Sequence, residues 1–220
     1  MTATNALRVP VQSRSHKTRA ALVTAAKREF STRGYADTTA KSIAERAGVG
    51  TGTFYFYFPD KDAALGEICT QRVQALLDET APLAAPAPEN RNAAARISAA
   101  RHRLERLVQL YLDYHRTDRG IHAVIAERRL CDPSIEAIMM KSEHEAVLRL
   151  SNAIGGWGSD GDREASAFMM FSLLEGAVHG HVFSAPVLSD ERFAAALVEA
   201  LLRIGLPISM LEIPGPAASV

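Results

Sequence analysis

Residues Thr38–Lys61 read TTAKSIAERAGVGTGTFYFYFPDK, and two short helical segments in it flank Gly48-Val49-Gly50. Thr39 is a good N-cap for the first segment, whose Ile43, Ala44 and Ala47 recur on one helical face. A tight turn between crossed helices needs a residue with φ > 0, which glycine supplies. Val49 then points back to seal the corner. The second segment covers Thr51 to Tyr57, and Pro59-Asp60 ends it. It exposes Thr51, Gly52, Thr53, Tyr55 and Tyr57, which are small or hydroxyl-bearing. Small residues allow close approach to base edges, and tyrosine hydroxyls can donate to phosphate oxygens. This is helix-turn-helix construction. Phe54, Phe56 and Phe58 would also suit a core hairpin that touches no nucleic acid; Phe54 and Phe58 belong to the core on either reading.

Working outward, Leu22, Ala25, Ala26 and Phe30 fall at helical spacing between Thr18 and Arg33, and Gly34 is a stop signal. Residues 1–16, with Pro10 and several Ser and Thr, read as a flexible basic arm. A fourth helix runs to about Thr80 on a stripe of Leu65, Ile68, Cys69, Val73, Leu76 and Leu77. The proline-rich APLAAPAPEN (81–90) reads as a loop. Leu104, Leu107, Val108 and Tyr111 mark a long helix; Gly120 and Pro133 bracket a shorter one; Ile135–Ile154 is another. GGWGSDGD (155–162) reads as a loop, Ala165–Phe183 and Phe193–Ile204 as a final helical pair, and residues 207–220 as a disordered tail. No segment alternates as a strand does, so the fold class is all-α.

The pattern T-x-x-x-I-A-x-x-A-G-V-x-x-G-T-x-Y-x-x-F-x-x-K resembles the DNA-binding domain of TetR-type transcriptional regulators. It is carried by Thr39, Ile43, Ala44, Ala47, Gly48, Val49, Gly52, Thr53, Tyr55, Phe58 and Lys61, with Phe30, Gly34 and Tyr35 before it. The resemblance implies a helix-turn-helix domain over 17–62 and a larger helical effector-binding and dimerisation domain over 63–206. It implies a repressor that binds a palindromic operator in double-stranded DNA as a homodimer and is released by a small-molecule effector. Thr39, Lys41, Gly50, Thr51, Gly52, Thr53, Tyr55, Tyr57 and Lys61 are the DNA-binding candidates it carries over. At Gly50 the family often has a stronger cap residue, so reading of bases leans on Thr51 and Lys41. Arg14, His16, Lys17 and Arg19 could reach a minor groove or form an unstructured basic tail.

In the body, Gly176, Ala177 and Gly180 gather small residues on one region of a helix beside Leu173, facing a partner helix with Leu197 and Leu201. The resemblance makes these the dimer interface; the alternative is a monomer core. Candidate effector-lining residues are Tyr111, His115, His122, Met139, Met140, Phe168 and Phe171, which could equally fill a core. Arg128 and Arg129 could meet an acidic ligand, or an Asp partner.

The chain has 220 residues, with 25 Lys+Arg against 25 Asp+Glu. Neutrality hides an asymmetry: residues 1–66 carry 10 basic and 5 acidic side chains (net +5), leaving the remainder at −5. A basic first third suits contact with a polyanion; the alternative is chance scatter of charge. Two cysteines exclude a disulfide scaffold and fit a reducing cytoplasm. No run approaches the ~20 apolar residues of a membrane span. The histidines lack metal-ligand spacing, and no nucleophile elbow, P-loop or dinucleotide fingerprint occurs, so neither an enzyme, a metal nor a cofactor is expected. The alternative function is a helical protein-interaction or small-molecule carrier module without an operator.

Overall fold

The computed structural model describes residues 11–84, 92–157 and 161–207. Among them lie nine α-helices: α1 Val11–Arg33, α2 Ala40–Arg46, α3 Thr51–Tyr57, α4 Lys61–Thr80, α5 Ala93–Arg116, α6 Arg119–Arg129, α7 Pro133–Gly155, α8 Arg163–Phe183 and α9 Asp190–Gly205. No strand occurs among the described residues. A single 3-10 turn, Ala81–Ala84, follows α4. Residues 1–10 and 208–220, including most of the expected arm and tail, lie outside the described residues.

The chain divides into two compact units. The first combines residues up to Arg72 with Asp118–Ile138; the second combines Val73–Thr117 with the chain from Met139 onward. This differs from a boundary at residue 62/63, because α6 and the first half of α4 join the helix-turn-helix. In the first unit, Leu22, Ala26 and Phe30 of α1 pack with Ile43 and Ala44 of α2, Phe54 of α3, Leu65 and Ile68 of α4 and Ile121 of α6, all buried. Gly120 explains the allegiance of α6. A Cβ there would lie 2.2 Å from the Ser31 carbonyl oxygen, so only glycine permits α6 to lie this close to α1. Asp118, just before α6, has φ 58, left-handed for a non-glycine. Its carboxylate is held by Lys27 and, at 3.7 Å, by Arg72.

α1 starts at Val11, so residues 11–16 of the expected arm are helical. No Gly or Pro interrupts the sequence from Val11 to Arg33, and the Tyr57 hydroxyl donates to Ser15 Oγ at 3.2 Å, tying this turn to α3. Arg19 is paired with Glu67 and lies 5.0 Å from the Phe58 ring. It is part of the packed unit rather than a free arm.

In the second unit, α5, α8 and α9 pack on one another around Leu104, Val108, Met170, Leu174, Val198 and Leu202. Leu197 and Leu201 also point into this core, 5% and 1% exposed. That corrects their assignment to a dimer surface: they lie on the same face of α9 as Val198 and Leu202, and α5 and α8 already cover that face. Gly176 and Gly180 remain exposed on α8, with open space where a Cβ would stand, while Leu173 and Ala177 are half-buried.

Glu29 is the buried charge of the first unit. Its side chain is 4% exposed, and Arg46 and Arg33 both pair with it. Burial alone would raise its carboxyl, but hydrogen bonds from Arg46 and Ser42 and the charges of both arginines outweigh this and hold it below the ordinary glutamate range. The stabilisation is therefore complete above that range and is lost as pH falls through it. Arg46→Met should cost about 2–3 kcal/mol at pH 7 in urea unfolding, because it leaves the buried carboxylate with Arg33 as its one ion-pair partner among the described residues. The deficit relative to the native protein should shrink below about pH 4, once Glu29 is protonated in both. Gly120→Ala should destabilise by ~2 kcal/mol or more through overpacking, exceeding the ~1 kcal/mol expected for Gly48→Ala.

Candidate nucleic-acid interface

The surface that presents α3 is built from α2 upward. Thr39 Oγ1 accepts from the Ser42 amide at 3.0 Å, and the Thr39 amide donates to Ser42 Oγ at 3.1 Å, a reciprocal capping box. The Thr39 hydroxyl proton is not consumed by this cap, so the exposed side chain can still donate. At the other end Ala47 closes α2 and Gly48 follows with φ 70. The Gly48 amide donates to the Glu45 carbonyl at 3.1 Å and the Val49 amide to that of Ala44 at 3.0 Å, the paired bonds of a Schellman turn. The glycine expected at this corner therefore does the expected work.

α3 is anchored from beneath. Phe54 is fully buried and Phe58 is 2% exposed, with their ring centroids 5.7 Å apart. Helical geometry then sends Gly52, Tyr55 and Phe56 outward; Tyr55 is 57% and Phe56 80% exposed. Thr51 and Thr53 are half-buried at the edges of this face. Gly50 caps α3 without a side-chain hydrogen bond. Tyr57 is half-buried, and its hydroxyl is engaged with Ser15. Phe56 is the residue that sequence reasoning missed: an alternating aromatic run hid which member leaves the core. Its signal was helical spacing, since residues 52, 55 and 56 share a face that 54 and 58 do not.

The two candidate lysines differ sharply. Lys41 is exposed and only loosely paired with Glu45 at 3.8 Å. Lys61 turns its ammonium inward, donating to the carbonyls of Tyr35 at 2.7 Å and Thr38 at 2.9 Å, and it sits 4.1 Å from the Tyr35 ring centroid. Arg128 lies 4.1 Å from the same centroid. Burial, then the hydrogen bond and charge of Asp62, push the Tyr35 hydroxyl up to about 12. Arg128 pairs with Asp132 at 3.3 Å and Asp62 at 3.7 Å, and Arg129 with Glu136 at 2.7 Å. The acid-partner reading of these arginines is the one realised.

The expected effector residues do not converge. Tyr111 and Phe171 line two adjoining cavities of about 50 and 40 Å³ in the second unit, and Met139 lines the second. Burial raises the Tyr111 hydroxyl well above its usual range. His115 is fully buried, with Nδ1 2.9 Å from the Tyr111 carbonyl oxygen and Nε2 3.1 Å from Glu175. It packs behind the wall rather than in it. His122 belongs to α6 in the first unit. Met140 and Phe168, each 58% exposed, flank a separate open cleft along α7 and α8. Trp157, Arg103 and Arg149 do line the first cavity. They were missed because Trp157 stands in a glycine-rich stretch that reads as a loop.

The pattern described as "Bacterial regulatory proteins, tetR family" matches residues 22–68, which span α2, α3 and the adjoining parts of α1 and α4. Over 179 residues the chain is 31% identical to the HTH-type transcriptional regulator TtgR of Pseudomonas putida, covering 74% of this chain and 80% of TtgR. A crystal structure of a Mesorhizobium loti protein described as a TetR-family transcriptional regulator has the same fold, with TM-score 0.68 and 20% identity over 87% of this chain and 98% of that one. The SmeT–triclosan complex superposes with TM-score 0.68 at 18% identity, covering 92% of this chain and all of that one. A helix-turn-helix reading head on an all-helical body defines a transcriptional regulator, not an enzyme. The chain belongs to the TetR family. No helix among the described residues is long and apolar enough to cross a membrane.

The lysine geometry separates two roles. Lys41→Ala should leave the unfolding midpoint unchanged and reduce the salt slope of duplex binding by about one. Lys61→Ala should lower thermal stability, because it removes the donor shared by two carbonyls, and change the salt slope by less.

Proposed function

We propose that this chain is a repressor that grips a palindromic operator as a homodimer and lets go when a small molecule occupies the second unit. The observation that carries the reading is the outward face of α3, braced by Phe54 and Phe58 and offering Gly52, Tyr55 and Phe56 to a groove. Thr51, Gly52 and Thr53 are small enough for close approach to base edges. The Tyr55 hydroxyl and Lys41 meet phosphates, and Thr39 donates to another. The exposed Phe56 ring suits apolar contact with a thymine methyl group. Tyr57 acts through its brace to Ser15, Gly50 through its backbone, and Lys61 by holding the Tyr35–Thr38 carbonyls that precede α2.

Dimerisation uses the exposed small-residue face of α8 around Gly176 and Gly180, flanked by Leu173 and Ala177, rather than Leu197 and Leu201. Two-fold symmetry then repeats the reading head and accounts for a palindrome. The cavities around Tyr111 and Phe171 supply a place for an effector. The triclosan held by SmeT, a protein of the same fold, supports a small apolar ligand there. An effector releases DNA only to the extent that it favours the non-binding arrangement of the dimer over the binding one.

Selection of bound fragments from random duplexes tests the reading. A palindromic consensus with steep loss of affinity at rising salt is expected, and binding without sequence preference would overturn it. Tyr55→Phe should weaken binding on all duplexes alike. Phe56→Ala should relax the preference for thymine at one position per half-site, and replacing that thymine by deoxyuridine should cause a similar loss with the native protein. The double variant Gly176→Arg with Gly180→Arg should sediment as a monomer and lose about the full advantage of the palindrome over a half-site.

A further inference from the structure

The wall of the first cavity of the second unit includes Trp157, which carries a buried donor. Trp157 is 2% exposed, yet its Nε1–H has no hydrogen-bond partner among the described residues. An unpaired buried N–H is costly, and such groups are uncommon. The ring is pinned from its other side. A Cβ at Gly205 would lie 2.9 Å from Trp157 Cζ3 and 3.1 Å from Cε3, so the benzo edge lies against α9 and only glycine fits there. The N–H lies on the opposite edge of the indole, and the residue forms part of the cavity wall.

Charge in the wall has the matching sign. Arg103 and Arg149 line this cavity and no Asp or Glu does. Arg149 is anchored, donating to the Leu77 carbonyl at 2.7 Å and to Glu145 at 2.8 Å, and Arg103 adds a second guanidinium. The adjoining cavity is the reverse, with Glu143 and Glu175 in its wall and no Lys or Arg. Tyr111 and Phe171 line both, and Leu107 and Leu150 make the first one apolar along its length. The first cavity thus carries the basic side chains and the adjoining one the acidic side chains.

We propose that the effector is an anionic amphipath, an apolar body carrying a carboxylate that accepts the Trp157 Nε1–H and lies in the field of Arg103 and Arg149. This rests on the reading of the second unit as the effector-binding unit. A carboxylate satisfies the orphan donor with a charge-assisted bond, strengthened by the apolar surroundings. In the first cavity an ammonium group would meet two guanidiniums and leave the indole donor unpaired.

Trp157 is the only tryptophan of the chain, so intrinsic fluorescence reports on this wall alone. The full-length protein is titrated with octanoate, octan-1-ol and octylammonium, which share one tail and differ in the head. Octanoate should give a saturable change with affinity roughly tenfold above that of octylammonium. In calorimetry, Trp157→Phe and, separately, Arg103→Gln should each weaken octanoate by roughly tenfold while changing octan-1-ol by about twofold or less. Octylammonium binding as tightly as octanoate, or octanoate indifferent to both substitutions, overturns the anionic assignment and leaves the cavity reading standing. Saturable binding by none of the three overturns both.

Discussion

Closure of α2 by the two backbone hydrogen bonds around Gly48 is the constraint on which the reading head depends. The amides of Gly48 and Val49 can reach the carbonyls of Glu45 and Ala44 only if the backbone turns left-handed at residue 48. That turn aims α3. Once it is aimed, burial of Phe54 and Phe58 fixes its rotation, and everything opposite them faces solvent. The face available to DNA is therefore the complement of a packing decision. Tyr55 and Phe56 are outward because Phe54 and Phe58 are inward.

This part of the molecule was legible in the sequence because its determinants are local. A cap at Thr39, a stop at Gly48 and the spacing of Ile43 and Ala44 all act within one or two helical turns. Features that depend on distant partners were not legible. α6 looks like any short amphipathic helix; only its close approach at Gly120 to the Ser31 carbonyl reveals which unit it joins. Lys61 matched a family position, yet its ammonium is committed to two carbonyls more than twenty residues earlier. Leu197 and Leu201 fell on an apolar stripe that could have served a partner chain, but α5 and α8 cover it within one chain. His122 failed for the same reason as α6. Tyr111 and Phe171 were identified with the cavities because they are large aromatic residues on helices that pack together.

The second unit distributes its polar groups unevenly. Each ring nitrogen of His115 lies within hydrogen-bond distance of an oxygen, Nδ1 of the Tyr111 carbonyl and Nε2 of Glu175, whereas the Trp157 Nε1–H has no partner among the described residues. Buried polar groups of these two kinds have different consequences. The first specifies how α5 and α8 pack; the second is a standing cost that an incoming acceptor would relieve. Regulation by a ligand requires such a difference between states, since a ligand that binds both arrangements equally shifts neither.

The bond between Tyr57 and Ser15 has a practical corollary for anyone handling this protein. The second turn of α1 braces α3, so Ser15 is mechanically continuous with the reading surface. Substitutions at Ser15 or its neighbours in this turn would load that brace directly.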